Sequence, residues 1–368
     1  MTVMLGVLPL LLALIGVHAA FTRVLAWRRA MRVLEAFSAS ESHADPAIPE
    51  SILEAPWEGD VLRWRVFRPQ APRATVLIVH GVNYKGIHEP RLERFARAVA
   101  HEGITVVLPE LPELCDYRID PRSIDRIGMI ATRISREVGA PVGVIGTSFA
   151  GGLSVMAAAR PEYAPHIKLV FSLGGHESAE RVSRYLATGE VVDPSGVPSP
   201  VHPHDYGMLV LLHAHAQRFF PARDLEAVEA ALTTWLHEDR DVARTHMARI
   251  QDARVREDLL ALMERGERGP WIEPVLRDLA EHPEESRAIS PLAIFPQLRR
   301  PVYLAHGAGD SVIPAVESMY FAYDAPSMTA RSLISPAIVH VEVGKGPNVR
   351  DQLALVDFLA DVLAHLER

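Results

Sequence analysis

Val144-Ile145-Gly146-Thr147-Ser148-Phe149-Ala150-Gly151-Gly152 is the stretch on which the fold reading turns. An apolar β-branched run enters a turn of small residues, and an Ala-rich helical segment, Leu153 to Ala159, continues from it. Gly146 and Ala150 flank Ser148 with side chains small enough to let neighbouring backbone approach a sharply bent residue. Such a turn lifts the serine hydroxyl clear of the sheet. The helix that follows aims its free N–H groups and the positive end of its dipole at the same point. The Gly-x-Ser-x-small pattern is short, and an ordinary turn with a helix-capping serine uses the same residues. Its placement between an apolar strand and an Ala-rich helix makes Ser148 the candidate nucleophile.

Working outward, Ala74 to Val79, Ile104 to Leu108, Ile167 to Phe171 and Pro301 to Ala305 are further apolar runs of strand length, as expected for strands covered on both faces. Val61 to Phe67 alternates like a half-exposed strand. Helix-period stretches near 89–101, 121–137 and 149–160 lie between them. Strands alternating with such helices predict an α/β fold with a mostly parallel, doubly wound sheet. The alternation stops at about Gly174 and resumes near Leu298, with a mostly helical pattern between. The expected organisation is a membrane anchor over 1–21, a juxtamembrane helix and linker over 22–56, an α/β core over 57–173 and 299–368, and a helical cap over 174–298.

Two more segments carry chemistry. Ile78-Val79-His80-Gly81-Val82-Asn83 ends an early strand. An oxyanion formed at an acyl carbonyl needs two preset N–H donors; Phe149, after the nucleophile, and Val82, in this loop, are placed to supply them. His80 reads as a residue that stabilises the loop. Leu304-Ala305-His306-Gly307-Ala308-Gly309-Asp310-Ser311-Val312-Ile313-Pro314 is a strand running into a glycine-rich turn that presents Asp310. That is the placement of an acid that orients a histidine. The bland alternative is a loop aspartate that caps the next helix.

Together these segments resemble the α/β-hydrolase superfamily over about residues 60–173 and 300–366. His80-Gly81 is similar to its oxyanion loop, Gly146 to Gly152 to its nucleophile elbow, and His306 to Pro314 to its acid loop. Ala150 stands where the elbow often has glycine. The resemblance implies acyl-transfer chemistry on an ester, thioester or amide without metal or organic cofactor, and a histidine after Asp310. The glycine-rich turn Gly344-Lys345-Gly346-Pro347 contains none. Of the two histidines that follow, His365 lies deep in the terminal helical stretch, so His340 is the expected base. Two placements of it are open: a loop after a last strand at Thr329 to Ile334, or a strand running from Ala337 to Val343.

The cap holds no matching motif. His202 with His204, and His213 with His215, lie two apart, a spacing that splays helical ligands by roughly 200°, so no metal site is expected. Met208 to Leu212 with Phe219-Phe220 reads as cap core or as the lining for an acyl chain. The expected substrate is a small-molecule or lipid-like carboxylic ester, with acyltransfer by the same triad, or a non-catalytic binding protein on the same fold, as alternatives.

Composition adds limits. The net charge is −8, and the four arginines within the first 32 residues leave the remaining chain at −12. An acidic body argues against nucleic acid as a partner. Cys115 is the sole cysteine, so no intramolecular disulfide forms. Met1 to Phe21 carries no charge and is long enough for a ~30 Å hydrocarbon core. Arginines follow the run instead of preceding it. This predicts a single-pass anchor with a cytoplasmic catalytic body, against the alternative of a signal peptide cut after Val17-His18-Ala19.

Overall fold

The computed structural model describes residues 22–37, 48–339, 342–343 and 348–368. Eight strands form one sheet: β1 (Glu50–Trp57), β2 (Asp60–Phe67), β3 (Ala74–Val79), β4 (Ile104–Pro109), β5 (Val142–Thr147), β6 (Ile167–Leu173), β7 (Val302–Gly307) and β8 (Thr329–Ser335). Their order is β1-β2-β4-β3-β5-β6-β7-β8. The β1–β2 and β2–β4 pairs are antiparallel, and every pair from β4 to β8 is parallel.

Alternation within β3 shows why the central strands read as continuous apolar runs. Leu77 and Val79 enter one core with the helices Arg122–Val138 and Phe149–Ala159, while Val76 and Ile78 enter the other. That second core is closed by Pro90–His101 and the terminal helix Val349–Leu366. With both faces covered, no position needs to be polar. The helix Pro90–His101 starts where its sequence directs: Pro90 is at the first position, and the Glu89 carboxylate accepts from Leu92 N–H at 2.8 Å. The same helix disturbs the alternation of β2. It brings Glu93 to the Arg65 guanidinium at 2.9 Å, so Arg65 is buried along with Val66 and Phe67.

One sequence expectation changes. The linker expected up to residue 56 contains β1, which buries only Ala55 and Trp57 and therefore offers no apolar alternation to read. The helix at 22–37 packs on the core: Ala26, Ala30 and Val33 bury one face there. Trp27 donates to Asp357 at 2.8 Å, and Arg29 reaches the carbonyl of Glu102 at 2.8 Å. Residues 1–21, with the expected transmembrane helix, lie outside the described residues. Among the described residues no helix is long and apolar enough to cross a membrane.

Between β6 and β7 the described chain is helical, from Ala179–Thr188 to Pro283–Ala288. These inserted helices have their own core, built on Met208, Leu212, Leu232, Trp235, Leu262 and Trp271. After β8 the chain makes a small antiparallel ladder, β9 (Ile338–Val339) with β10 (Glu342–Val343), before the terminal helix. Among the described residues Thr329–Ser335 is thus the last strand of the large sheet, and β9 pairs with β10 outside it.

Candidate active site

Ser148 follows β5 at the carboxyl edge of the sheet, where the parallel order brings the ends of β3, β5 and β7 together. Its backbone is at φ 54°, ψ −137°, a conformation that costs a non-glycine residue about 1–3 kcal/mol and persists only where surroundings impose it. Here they do. Ser148 N–H donates to Leu173 carbonyl at 2.9 Å, Gly151 N–H to Ser148 carbonyl at 2.8 Å, and the Thr147 hydroxyl to Val79 carbonyl at 3.0 Å. The requirement for small neighbours is steric. A Cβ on Gly146 would stand 2.3 Å from the Ala150 carbonyl oxygen, and one on Gly151 would stand 2.4 Å from Ser172 Oγ. Phe149 opens the helix, so its N–H has no carbonyl four residues back to bond.

The loop after β3 packs directly on this turn: a Cβ on Gly81 would lie 3.0 Å from Ser148 Cβ and 3.3 Å from Thr147 carbonyl oxygen. His80 holds the loop. Leu111 N–H donates to His80 Nε2 at 3.0 Å, so that nitrogen carries no proton. Nδ1–H then donates to Gly81 carbonyl at 2.8 Å. Burial pushes the His80 pKa down to about 4, which keeps this neutral tautomer. In a trans peptide the C=O and N–H point in opposite directions. By fixing the Gly81 carbonyl, His80 therefore fixes the direction of Val82 N–H. The other side of Val82 is fixed as well, because Tyr206 of the inserted helices donates its hydroxyl to Val82 carbonyl at 2.9 Å. Tyr206 had no sequence signal: it is a lone tyrosine in an apolar helix.

Asp310 stands in the loop after β7 and is 1% exposed. One carboxylate oxygen accepts from Val312 and Ile313 N–H at 2.9 and 3.1 Å, so the aspartate also shapes its own turn. The other faces His306 Nε2 at 3.5 Å. His306 is wholly buried, bonded to Ile313 carbonyl at 2.9 Å and Ser318 Oγ at 2.8 Å. His340, the expected base, lies outside the described residues, as does the Gly344–Pro347 turn. His365 is bonded to the Tyr303 hydroxyl at 2.9 Å through Nδ1.

The histidines of the insertion have separate tasks. His204 Nδ1 accepts from Tyr206 N–H at 3.1 Å, and His213 Nε2 meets Thr233 Oγ1 at 2.9 Å. Among the described residues no three His, Cys, Asp or Glu side chains gather in a way that could hold a metal ion. Beneath the elbow, His176 donates from Nε2 to Ile289 carbonyl at 2.7 Å, and its ring lies 5.0 Å from that of Phe149. Beside it, the buried Glu317 carboxylate accepts from Glu177 and Ser178 N–H, both at 2.9 Å, and from Arg181 at 2.6 Å. This ties the end of β6 to the helix Val316–Asp324 behind Asp310.

A cavity of about 160 Å³ opens over Ser148 and touches Val82, Phe149 and Val312. In the stretch Met208 to Leu212, Met208, Leu209, Val210 and Leu212 enter the core of the insertion, and Val210 and Leu211 also line the cavity.

No family model and no curated protein matches the sequence. Solved structures do match. An acylaminoacyl peptidase in complex with Z-Gly-Gly-Phe-chloromethyl ketone aligns over 86% of this chain at 13% identity with a TM-score of 0.52; this chain spans 41% of its length. Dienelactone hydrolase from Anabaena variabilis aligns over 86% of this chain and 98% of its own, at 14% identity and a TM-score of 0.45. A lipase in its open form aligns over 85% and 99%, at 17% identity and a TM-score of 0.47. At 13% identity and a TM-score of 0.52, the likeness to the peptidase is one of fold.

Proposed function

We propose that this chain, which has the α/β-hydrolase fold, is a serine hydrolase that cleaves hydrophobic carboxylic esters through an acyl-enzyme on Ser148. The observation that carries the reading is the strained Ser148, held against the Gly81 loop at the floor of an apolar cavity. A helix-capping serine needs no positive φ, and Ser148 makes no capping hydrogen bond.

In this mechanism His340, oriented by Asp310, takes the Ser148 hydroxyl proton as Oγ bonds to the ester carbonyl carbon. The carbonyl π pair moves onto oxygen, which Val82 and Phe149 N–H receive; each such donor contributes about 10²–10³ in rate. The oxyanion re-forms the carbonyl, the bond to the leaving alkoxide breaks, and His340 returns its proton to that oxygen. Water, deprotonated by His340, then attacks the acyl-enzyme and releases the acid and Ser148. No cofactor takes part. His80 acts as a positioning residue, through the Gly81–Val82 peptide.

An alkyl fluorophosphonate should label the wild type and leave Ser148→Ala unlabelled, with hydrolysis of a p-nitrophenyl ester falling at least a thousandfold in Ser148→Ala and His340→Ala. A wild type that neither labels nor hydrolyses any ester, or a Ser148→Ala variant with unchanged turnover, would remove the reading.

A further inference from the structure

Two cavities meet at Ile119, Phe149, Val210 and Leu211, and the larger carries more ionisable side chains. The larger, about 570 Å³, lies against the inserted helices, and among its apolar walls it holds Asp120, His215, Asp278, His282 and Glu285. The smaller holds Ser148 and runs the other way, beneath the helix at 22–37. Its walls there are Phe95, Phe171, Phe358 and Leu359 from the core and Leu34 and Phe37 from that helix, and its charged lining residues are Glu89 and Arg91. Phe37 is set there by an edge-on contact with Phe95, at 5.4 Å between ring centres. Leu34 and Phe37 are only half-buried, the outermost part of a wall whose other members are buried.

We infer that the acyl chain of the substrate occupies the apolar channel toward the helix at 22–37, and that Leu34 and Phe37 set the chain length it accepts. The inference rests on the serine-hydrolase reading of Ser148. Each methylene moved from water into an apolar site lowers the free energy of the complex. Carboxylates and imidazoles set in a wall reduce that gain, because they would themselves lose hydration. The hydrocarbon part therefore goes to the channel, and the cavity richer in ionisable groups receives the leaving group. Size narrows the class further. A cavity of about 150 Å³ holds benzene, with its six carbons. The Ser148 cavity as a whole, about 160 Å³, suits an acyl chain of at most about six to eight carbons.

The test uses the full chain and an octyl fluorophosphonate carrying a terminal diazirine. After Ser148 is labelled, irradiation should cross-link the alkyl end to peptides holding Leu34 and Phe37 or Phe358 and Leu359. Cross-links in 205–219 or 275–289 instead would place the chain in the other cavity and overturn the inference while leaving the hydrolase reading intact. Absence of any Ser148 labelling would remove both. Chain-length profiles give a second measurement. Phe37→Ala should raise the dodecanoate-to-octanoate ratio of kcat/KM at least tenfold, and Leu34→Trp should lower the octanoate-to-butyrate ratio at least tenfold. Unchanged ratios in two variants that still label at Ser148 would overturn it.

Discussion

The Tyr206 hydroxyl donates a 2.9 Å hydrogen bond to the carbonyl oxygen of Val82, joining the inserted helices to the loop packed on Ser148. With His80 holding the preceding carbonyl, both peptide planes around Val82 are anchored from opposite sides. The insertion is therefore mechanically part of the site as well as its cover.

Tyr206→Phe removes one of these anchors while keeping the ring. A lost neutral hydrogen bond is worth about 0.5–1.5 kcal/mol. We expect kcat for a short-chain ester to fall about threefold to tenfold with KM nearly unchanged. Steady-state kinetics check it; a change confined to KM would show that Tyr206 contacts substrate instead of setting the loop.

Gly81→Ala places a methyl 3.0 Å from Ser148 Cβ and 3.3 Å from Thr147 carbonyl oxygen, both on the rigid elbow. One of the two loops must move, and displacements of about 1 Å in a catalytic arrangement cost about a hundredfold. The expected result is a kcat/KM at least a hundredfold lower in a protein that still unfolds cooperatively. Activity within threefold of wild type would mean that the two loops are not in register for catalysis.

His80 makes stability depend on pH. Its pKa is 6.5 when exposed and about 4 in the folded protein, because burial disfavours the cation. Between those values the unfolded chain binds the extra proton, so stability rises with pH across that window and is lost as pH falls from about 6.5 to about 4. At about 1.4 kcal/mol per pKa unit the loss from His80 reaches about 3 kcal/mol. The buried His176 is shifted in the same direction for the same reason. Urea denaturation at pH 7 and pH 4.5 should show a smaller difference for His80→Gln than for wild type. Equal differences would show that His80 is not the titrating group.

Residues 1–21 should tether the chain to a membrane. The helix that follows exposes Val24, Leu25 and Met31, an apolar surface that continues the run. We expect the full chain to stay in the membrane fraction through alkaline carbonate. Removal of residues 1–21 should move ester hydrolysis to the supernatant. Carbonate-soluble full-length protein would refute the anchor.

Much of this architecture was legible in the sequence because it depends on local periodicity. β3, β4, β5 and β7 are buried along nearly their whole length, and their short apolar, β-branched runs bounded by turn residues read as central strands. Ser148 and Asp310 stand out because each ends such a strand in a turn of small residues. What could not be read locally was decided by packing between remote segments. β1 is an exposed edge strand specified by its pairing with β2, not by its own pattern. The tautomer of His80 depends on Leu111, the setting of Val82 on Tyr206, and the wall of the Ser148 cavity on Leu34 and Phe37. None of these partners is a neighbour in sequence, and side-chain periodicity carries no information about which distant surface a residue will meet. Sequence alone determined where a nucleophile could stand; the tertiary structure decided what surrounds it.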